Sequence, residues 1–121
     1  MKMIKTLVSL SIMGFSYVHV NAAQINANLN LTSGLASAGQ QLIKAKKDDV
    51  IYLKVKSNES GELHLHAYQL EIKVSENEVK DVSFKAFATG RFTFEWHPNK
   101  VNNSKQMHHK EPLATLEVFP Q

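Results

Sequence analysis

The chain has 121 residues, 14 basic against 11 acidic side chains and no cysteine. Without a thiol there can be no disulfide, thiolate nucleophile, zinc–thiolate site, iron–sulfur cluster or blue-copper centre. The formal net charge of +3 is spread along the chain, with no Lys/Arg cluster interleaved with aromatics, and this argues against a nucleic-acid partner.

Lys2 and Lys5 precede a largely apolar, uncharged stretch from Leu7 to Val20, and Val20-Asn21-Ala22 then supplies small residues. This is the pattern of a cleavable export signal over residues 1–22, cut after Ala22, with the bond after Ala23 as second choice. A spanning helix needs about 20 apolar residues. Ser9, Ser11, Ser16, His19 and Asn21 dilute this stretch, so no stable membrane insertion is expected after cleavage. Processing would remove two lysines and no acid, lowering the charge from +3 to +1. Residues 23–121 are then enough for one domain around one core.

Short alternating runs separated by polar turns follow, the pattern of an antiparallel sandwich or barrel. Ile25, Ala27, Leu29 and Leu31 share one face of the first run. Thr32 to Gly39 reads as a connection, Gln41 to Ala45 as a short strand, and Lys46-Lys47-Asp48-Asp49 as a turn. Val50 to Lys56 turns Ile51, Leu53 and Val55 inward. Leu63 to Val74 reads as one long strand or two with a bend. Val79 to Phe87 is a strand, and after Thr89-Gly90 the residues Phe92, Phe94 and Trp96 share a face of the next. A polar loop, Asn99 to Glu111, leads to a last strand, Leu113 to Phe119. About seven strands without helical periodicity predict an all-β, two-sheet sandwich.

The run from Leu63 to Val74 breaks its own alternation. From Leu70 onward the even positions are apolar, but the earlier even positions are His64 and His66. A regular strand would point both imidazoles toward the core. A bulge near Ala67 would bury Leu63 and Leu65 and turn the imidazoles outward. Either way they share a face, at a spacing that lets two rings converge on one ion. His97 ends the Phe92–Trp96 strand, and Met107, His108 and His109 lie in the loop before the last strand. Imidazole with thioether suits copper, and imidazoles alone would also suit zinc. The candidate ligands are therefore His64, His66, His97, His108, His109 and Met107.

The segment Glu62-Leu63-His64-Leu65-His66-Ala67-Tyr68-Gln69-Leu70-Glu71 resembles the "LHxHGYD" signature of small bacterial periplasmic cupredoxin-like domains. The resemblance continues through Val82–Ala86, Gly90-Arg91-Phe92-Thr93-Phe94-Glu95-Trp96-His97 and Leu116-Glu117-Val118-Phe119-Pro120, covering about residues 40–121. It implies a cupredoxin-like Greek-key β-sandwich, a periplasmic or secreted location, and company with periplasmic or membrane metal-handling proteins. By position, His64 or His66 resembles the family's early His ligand. His97 falls where the Cys stands, His108 or His109 corresponds to the later His, and Pro112 lies near the axial Met. Ala67 and Gln69 replace the family's usual Gly and Asp. With no thiolate, blue colour and fast electron transfer are not expected.

No nucleophile elbow or Gly-rich phosphate loop is present, and Glu76 and Glu78 sit in a turn beside Lys80, so an enzyme is not expected. The expectation is a protein that binds a metal ion, most readily copper, for storage, sequestration or delivery. The alternative is a metal-free sandwich that binds a partner in the cell envelope.

Overall fold

The computed structural model describes residues 11–17, 22–100 and 112–121. Among these, no helix is long and apolar enough to cross a membrane. The described residues form nine strands: β1 Gln24–Thr32, β2 Leu35–Ala36, β3 Leu42–Lys46, β4 Val50–Ser57, β5 Gly61–Leu65, β6 Leu70–Val74, β7 Lys80–Lys85, β8 Gly90–Pro98 and β9 Ala114–Phe119. A 3-10 turn, His66–Tyr68, separates β5 from β6. The strands make a four-stranded sheet, β2-β1-β4-β7, and a five-stranded sheet, β3-β9-β8-β5-β6.

Alternation places the core between the sheets. Leu29 and Leu31 of β1 and Ile51, Leu53 and Val55 of β4 face Leu63 and Leu65 of β5, Phe94 of β8, and Leu116 and Val118 of β9, all buried. The sandwich is not wholly antiparallel as the short runs suggest, because β1 pairs with β4 and β3 with β9 in parallel. The chain changes sheets between β2 and β3, β3 and β4, β4 and β5, β6 and β7, and β7 and β8. Those crossings bring strands of the same direction side by side.

The count rises from seven to nine at two places. Leu35–Ala36 adds a short antiparallel rung against Leu31–Thr32. The run from Leu63 to Val74 is a hairpin, with Leu63 opposite Ile72 and Leu65 opposite Leu70. Gln69 closes it in the left-handed region (φ 52°), and its N–H donates to the carbonyl of His66 at 2.9 Å. The turn also changes the phase of the alternation, so Leu63 and Leu65 are buried before it, Tyr68 at its end, and Ile72 and Val74 after it. The core-facing alternative for His64 and His66 is thus corrected, with a 3-10 turn in place of a bulge. Burying two leucines gains about 2 kcal/mol each, whereas a buried imidazole without partners costs free energy.

Tyr68 fastens this turn to the β7–β8 connection. Its hydroxyl donates to the carbonyl of Ala88 (2.9 Å) and accepts from the Ala88 N–H (3.3 Å). Its ring lies 4.5 to 5.5 Å from those of Phe84, Phe87 and Phe92. Burial pushes the phenol pKa up, which keeps the hydroxyl available as donor.

Gly61 starts β5 where β8 passes close by. A Cβ built there would stand 2.6 Å from the carbonyl oxygen of His97 and 2.6 Å from Trp96 Cζ2. Trp96 cannot yield easily, because it packs on the core and its indole N–H donates to Glu59 Oε1 at 2.8 Å. Gly61→Ala is therefore expected to destabilise the domain by about 1 to 3 kcal/mol. A denaturant titration of the variant checks this value, and unchanged stability would refute the tight approach of β5 and β8.

Candidate metal centre

Strand β8 is the seam of the larger sheet. Gly90–Phe94 pairs with β9, and from Glu95 to Pro98 the partner is β5. Across that second half the registers are Glu62 opposite His97 and His64 opposite Glu95. Each strand thus carries a Glu-x-His tripeptide, Glu62-Leu63-His64 and Glu95-Trp96-His97. The antiparallel register crosses them, so each glutamate faces the other strand's histidine. Leu63 is buried and Trp96 packs on the core, which sends all four polar side chains to the outer face. Strand β6 adds Glu71 opposite His64 and Lys73 opposite Glu62.

His66, the first residue of the 3-10 turn, reaches the same patch. Each of His64, His66 and His97 can present a ring nitrogen such that the three lie within 4.8 Å of one another. The rings of His64 and His97 are 4.3 Å apart and tilted, and those of His64 and His66 are 5.5 Å apart, edge to face. The ligand atoms of a second group, Glu62, His64 and Glu71, also lie within 4.8 Å of one another, and this group shares His64 with the first. The His64 side chain is only 14% exposed, against 66% for His66 and 53% for His97. His64 is the fixed member, and the other two face solvent.

The carboxylates orient the rings. His64 Nε2 lies 2.9 Å from Glu62 Oε2, and His66 Nε2 lies 2.9 Å from Glu95 Oε2. His97 Nε2 is 3.5 Å from the same Glu95 oxygen. An ionised carboxylate only accepts, so the proton of a neutral His64 or His66 ring is assigned to Nε2. The Nδ1 lone pair is then free for a metal. The hydrogen bond from His64 holds the Glu62 carboxyl below the usual carboxylate range, and the hydrogen bond from His66 does the same to Glu95. With Glu71 they make three carboxylates against Lys73, which renders the patch attractive to cations.

Of the sequence-predicted ligands, the structure brings His64, His66 and His97 together, and Met107, His108 and His109 lie outside the described residues. The three glutamates were missed. For Glu62 and Glu95 the signal was present in the sequence, since a Glu two residues before a His shares its face on any strand, whereas Glu71 joins them only through the pairing of β6 with β5.

Neither a protein-family model nor a curated protein sequence matches the chain. Solved structures do. A chain of a heme-copper terminal oxidase dimer superposes with a TM-score of 0.63 at 14% identity, over 95% of this chain and 78% of that one. The periplasmic domain of subunit II of cytochrome oxidase from Bradyrhizobium japonicum gives 0.54 at 15% identity, over 84% and 88%. The fold is cupredoxin-like. A Cu-containing nitrite reductase from Thermus scotoductus matches the same cupredoxin-like domain with a TM-score of 0.54 at 17% identity, over 82% of this chain and 28% of that longer one. These likenesses support the architecture expected from the Glu62–Glu71 segment and the strand pattern after it.

Proposed function

We propose that this cupredoxin-like domain is exported and holds a copper ion on the outer face of its larger sheet, for storage, sequestration or delivery. The observation that carries the reading is the convergence of His64, His66 and His97, drawn from two strands and a turn. The donor set fits copper: imidazoles suit Cu(II), and hydrogen-bonded carboxylates are the usual means of orienting them. Zinc is the second candidate, and Met107, His108 and His109, between β8 and β9 in sequence, would add ligands. Bound copper would supply a redox-capable centre, but the chain has no thiolate for a blue site, so binding and transfer are the better use. The exposure of His66 and His97 leaves two of three rings open to ligand exchange with a metal-handling partner. That partner could not be engaged through a mixed disulfide, because the chain has no cysteine. The test is a Cu(II) titration of the untagged, processed protein against His66→Ala and His97→Ala. Stoichiometric binding that neither substitution weakens would sink the assignment.

Glu95→Ala is expected to weaken copper binding about 10- to 100-fold, because it removes the acceptor shared by His66 and His97. Its side chain is half exposed, so the thermal midpoint should hardly move. Competition against a chelator of known affinity measures the first effect, and unaltered affinity would contradict the orienting role.

Proton competition sets the pH dependence. Imidazoles must be neutral to ligate, while Glu62 and Glu95, with pKa values lowered, remain ionised as pH falls. Protonated rings then pair with these carboxylates instead of the metal. Copper release is expected below about pH 6. Equilibrium dialysis across pH checks it, and retention to about pH 4 would assign the site to carboxylates instead.

A specific observation favours the second reading, a metal-free module. Among the described residues, strand β7 is an open edge of the four-stranded sheet, and exposed Val79 and Phe87 flank it. A partner strand could add there through backbone hydrogen bonds. Absence of bound metal at micromolar concentrations would make this the better account.

A further inference from the structure

The buried polar groups separate into two kinds. Ser57 and Asp49 are both buried, but only Asp49 is ionisable. Asp49 sits in the turn between β3 and β4, far in sequence from the histidine patch, and the metal reading makes no use of it. Its side chain has two backbone partners. Oδ2 accepts from the N–H of Lys46 at 2.8 Å, a local bond that closes the turn. Oδ1 accepts from the nitrogen of Ala23 at 3.0 Å, across 26 residues. Ala23 is held on its other side as well, since its carbonyl accepts from the N–H of Val50 at 3.0 Å. The first regular rung of the sandwich, Gln24 opposite Val50, follows at once.

Ala23 is the residue that becomes the amino terminus if an export signal is removed after Ala22. We infer that Asp49 is the receptor for the processed amino terminus: cleavage of the Ala22–Ala23 bond converts the hydrogen bond at Ala23 into an ammonium–carboxylate pair that locks β1 into the sheet. This rests on the export reading. The step is a hydrolysis, in which water adds across the amide, leaving a carboxylate on Ala22 and an ammonium on Ala23.

Three features support the assignment. Ala22 and Ala23 are exposed, so a peptidase can reach the bond while Asp49, 5% exposed, stays covered. A cleft of about 610 Å³ opens beside them, lined by Ala23, Ile25, Lys46, Asp49 and Phe119, and leaves room for a hydrated ammonium. The bond from the Ala23 N–H already has a charged acceptor, and an ammonium there would add the attraction of two opposite charges. Cutting after Ala23 instead would destroy the arrangement, because Gln24 would then be the terminus and Asp49 would lose its distant partner. On this inference the cut after Ala22, and not the bond after Ala23, keeps the partner of Asp49.

The test expresses the full chain for export in a bacterial host, together with a variant carrying one glycine inserted between Ala22 and Ala23. Intact mass establishes where each is cut. The expected wild-type product begins at Ala23, and the inserted variant begins at the added glycine, which leaves Ala23 as an ordinary amide. The variant's thermal midpoint should then be about 5 °C lower. In an Asp49→Asn background, insertion should make no difference. Export without any cleavage overturns the signal reading itself. A cut at another bond, or an inserted variant with an unchanged midpoint, overturns the role of Asp49.

Discussion

Replacing His64 with alanine is expected to lower copper affinity by at least about 100-fold, more than loss of an orienting partner costs. His64 belongs to both groups of convergent donors, is the least exposed of the three rings, and sits between Glu71 on one side and Glu95 on the other. Its removal leaves His66 and His97, each more than half exposed, with no fixed ring between them. The fold should tolerate the change. The interactions lost are one hydrogen bond to Glu62 and the ring contacts with His66 and His97, all on the outer face and none in the core. A ligand role therefore separates from a structural one: affinity collapses while the metal-free melting temperature stays nearly constant. His66→Ala and His97→Ala should rank below His64→Ala. Isothermal titration of the three variants measures the order, and a His64→Ala protein that binds as well as wild type would contradict it.

Phe94→Ala is expected to destabilise the domain by about 3 to 5 kcal/mol. Phe94 is 1% exposed and lies on β8 at the residue where its partner changes from β9 to β5. It is the largest of the fully buried side chains, so the sheets cannot close the space it leaves without moving the seam that carries Glu95 and His97. A domain of this size has about 5 to 15 kcal/mol in all. The midpoint should thus fall by more than about 12 °C. Phe92→Ala, at a half-buried position on the same face, should cost less. Calorimetry of both variants decides it, and an equal or smaller loss at Phe94 would mean that the core is centred elsewhere.

How far the sequence carries the fold is clear from single elements. Alternation in Val50–Lys56 and in Phe92-Thr93-Phe94-Glu95-Trp96 identifies both the strands and their buried faces, because period two on a half-buried sheet leaves little choice. Alternation says nothing of direction, and the parallel pairing of β1 with β4 and of β3 with β9 comes from chain crossings between sheets. The Leu63–Val74 run is the instructive case. Its residues allow either face for the histidines, and the outcome depends on a three-residue turn whose closing residue, Gln69, has no strong preference for the left-handed region. A strand-to-hairpin change of this kind follows from long-range burial of Leu63, Leu65 and Tyr68, not from local propensity.

The candidate site was legible by residue type and not by arrangement. Histidine clustering at strand ends points to His64, His66 and His97. Register alone brings Glu62 opposite His97 and His64 opposite Glu95, and register is set by pairing partners distant in sequence. The repeated Glu-x-His tripeptide was the one local sign that carboxylates and imidazoles share a face. Asp49 gave no sign of its role, since its partner Ala23 is 26 residues away.

The measurement that bears most directly on copper binding is Cu(II) electron paramagnetic resonance of the untagged, processed protein with one equivalent of metal. Convergence of His64, His66 and His97 predicts a single bound species with imidazole nitrogen couplings, no intense blue colour, and loss of that species in the triple His→Ala variant. A spectrum of free or heterogeneous copper in the wild type, or an unchanged signal in the triple variant, would contradict it.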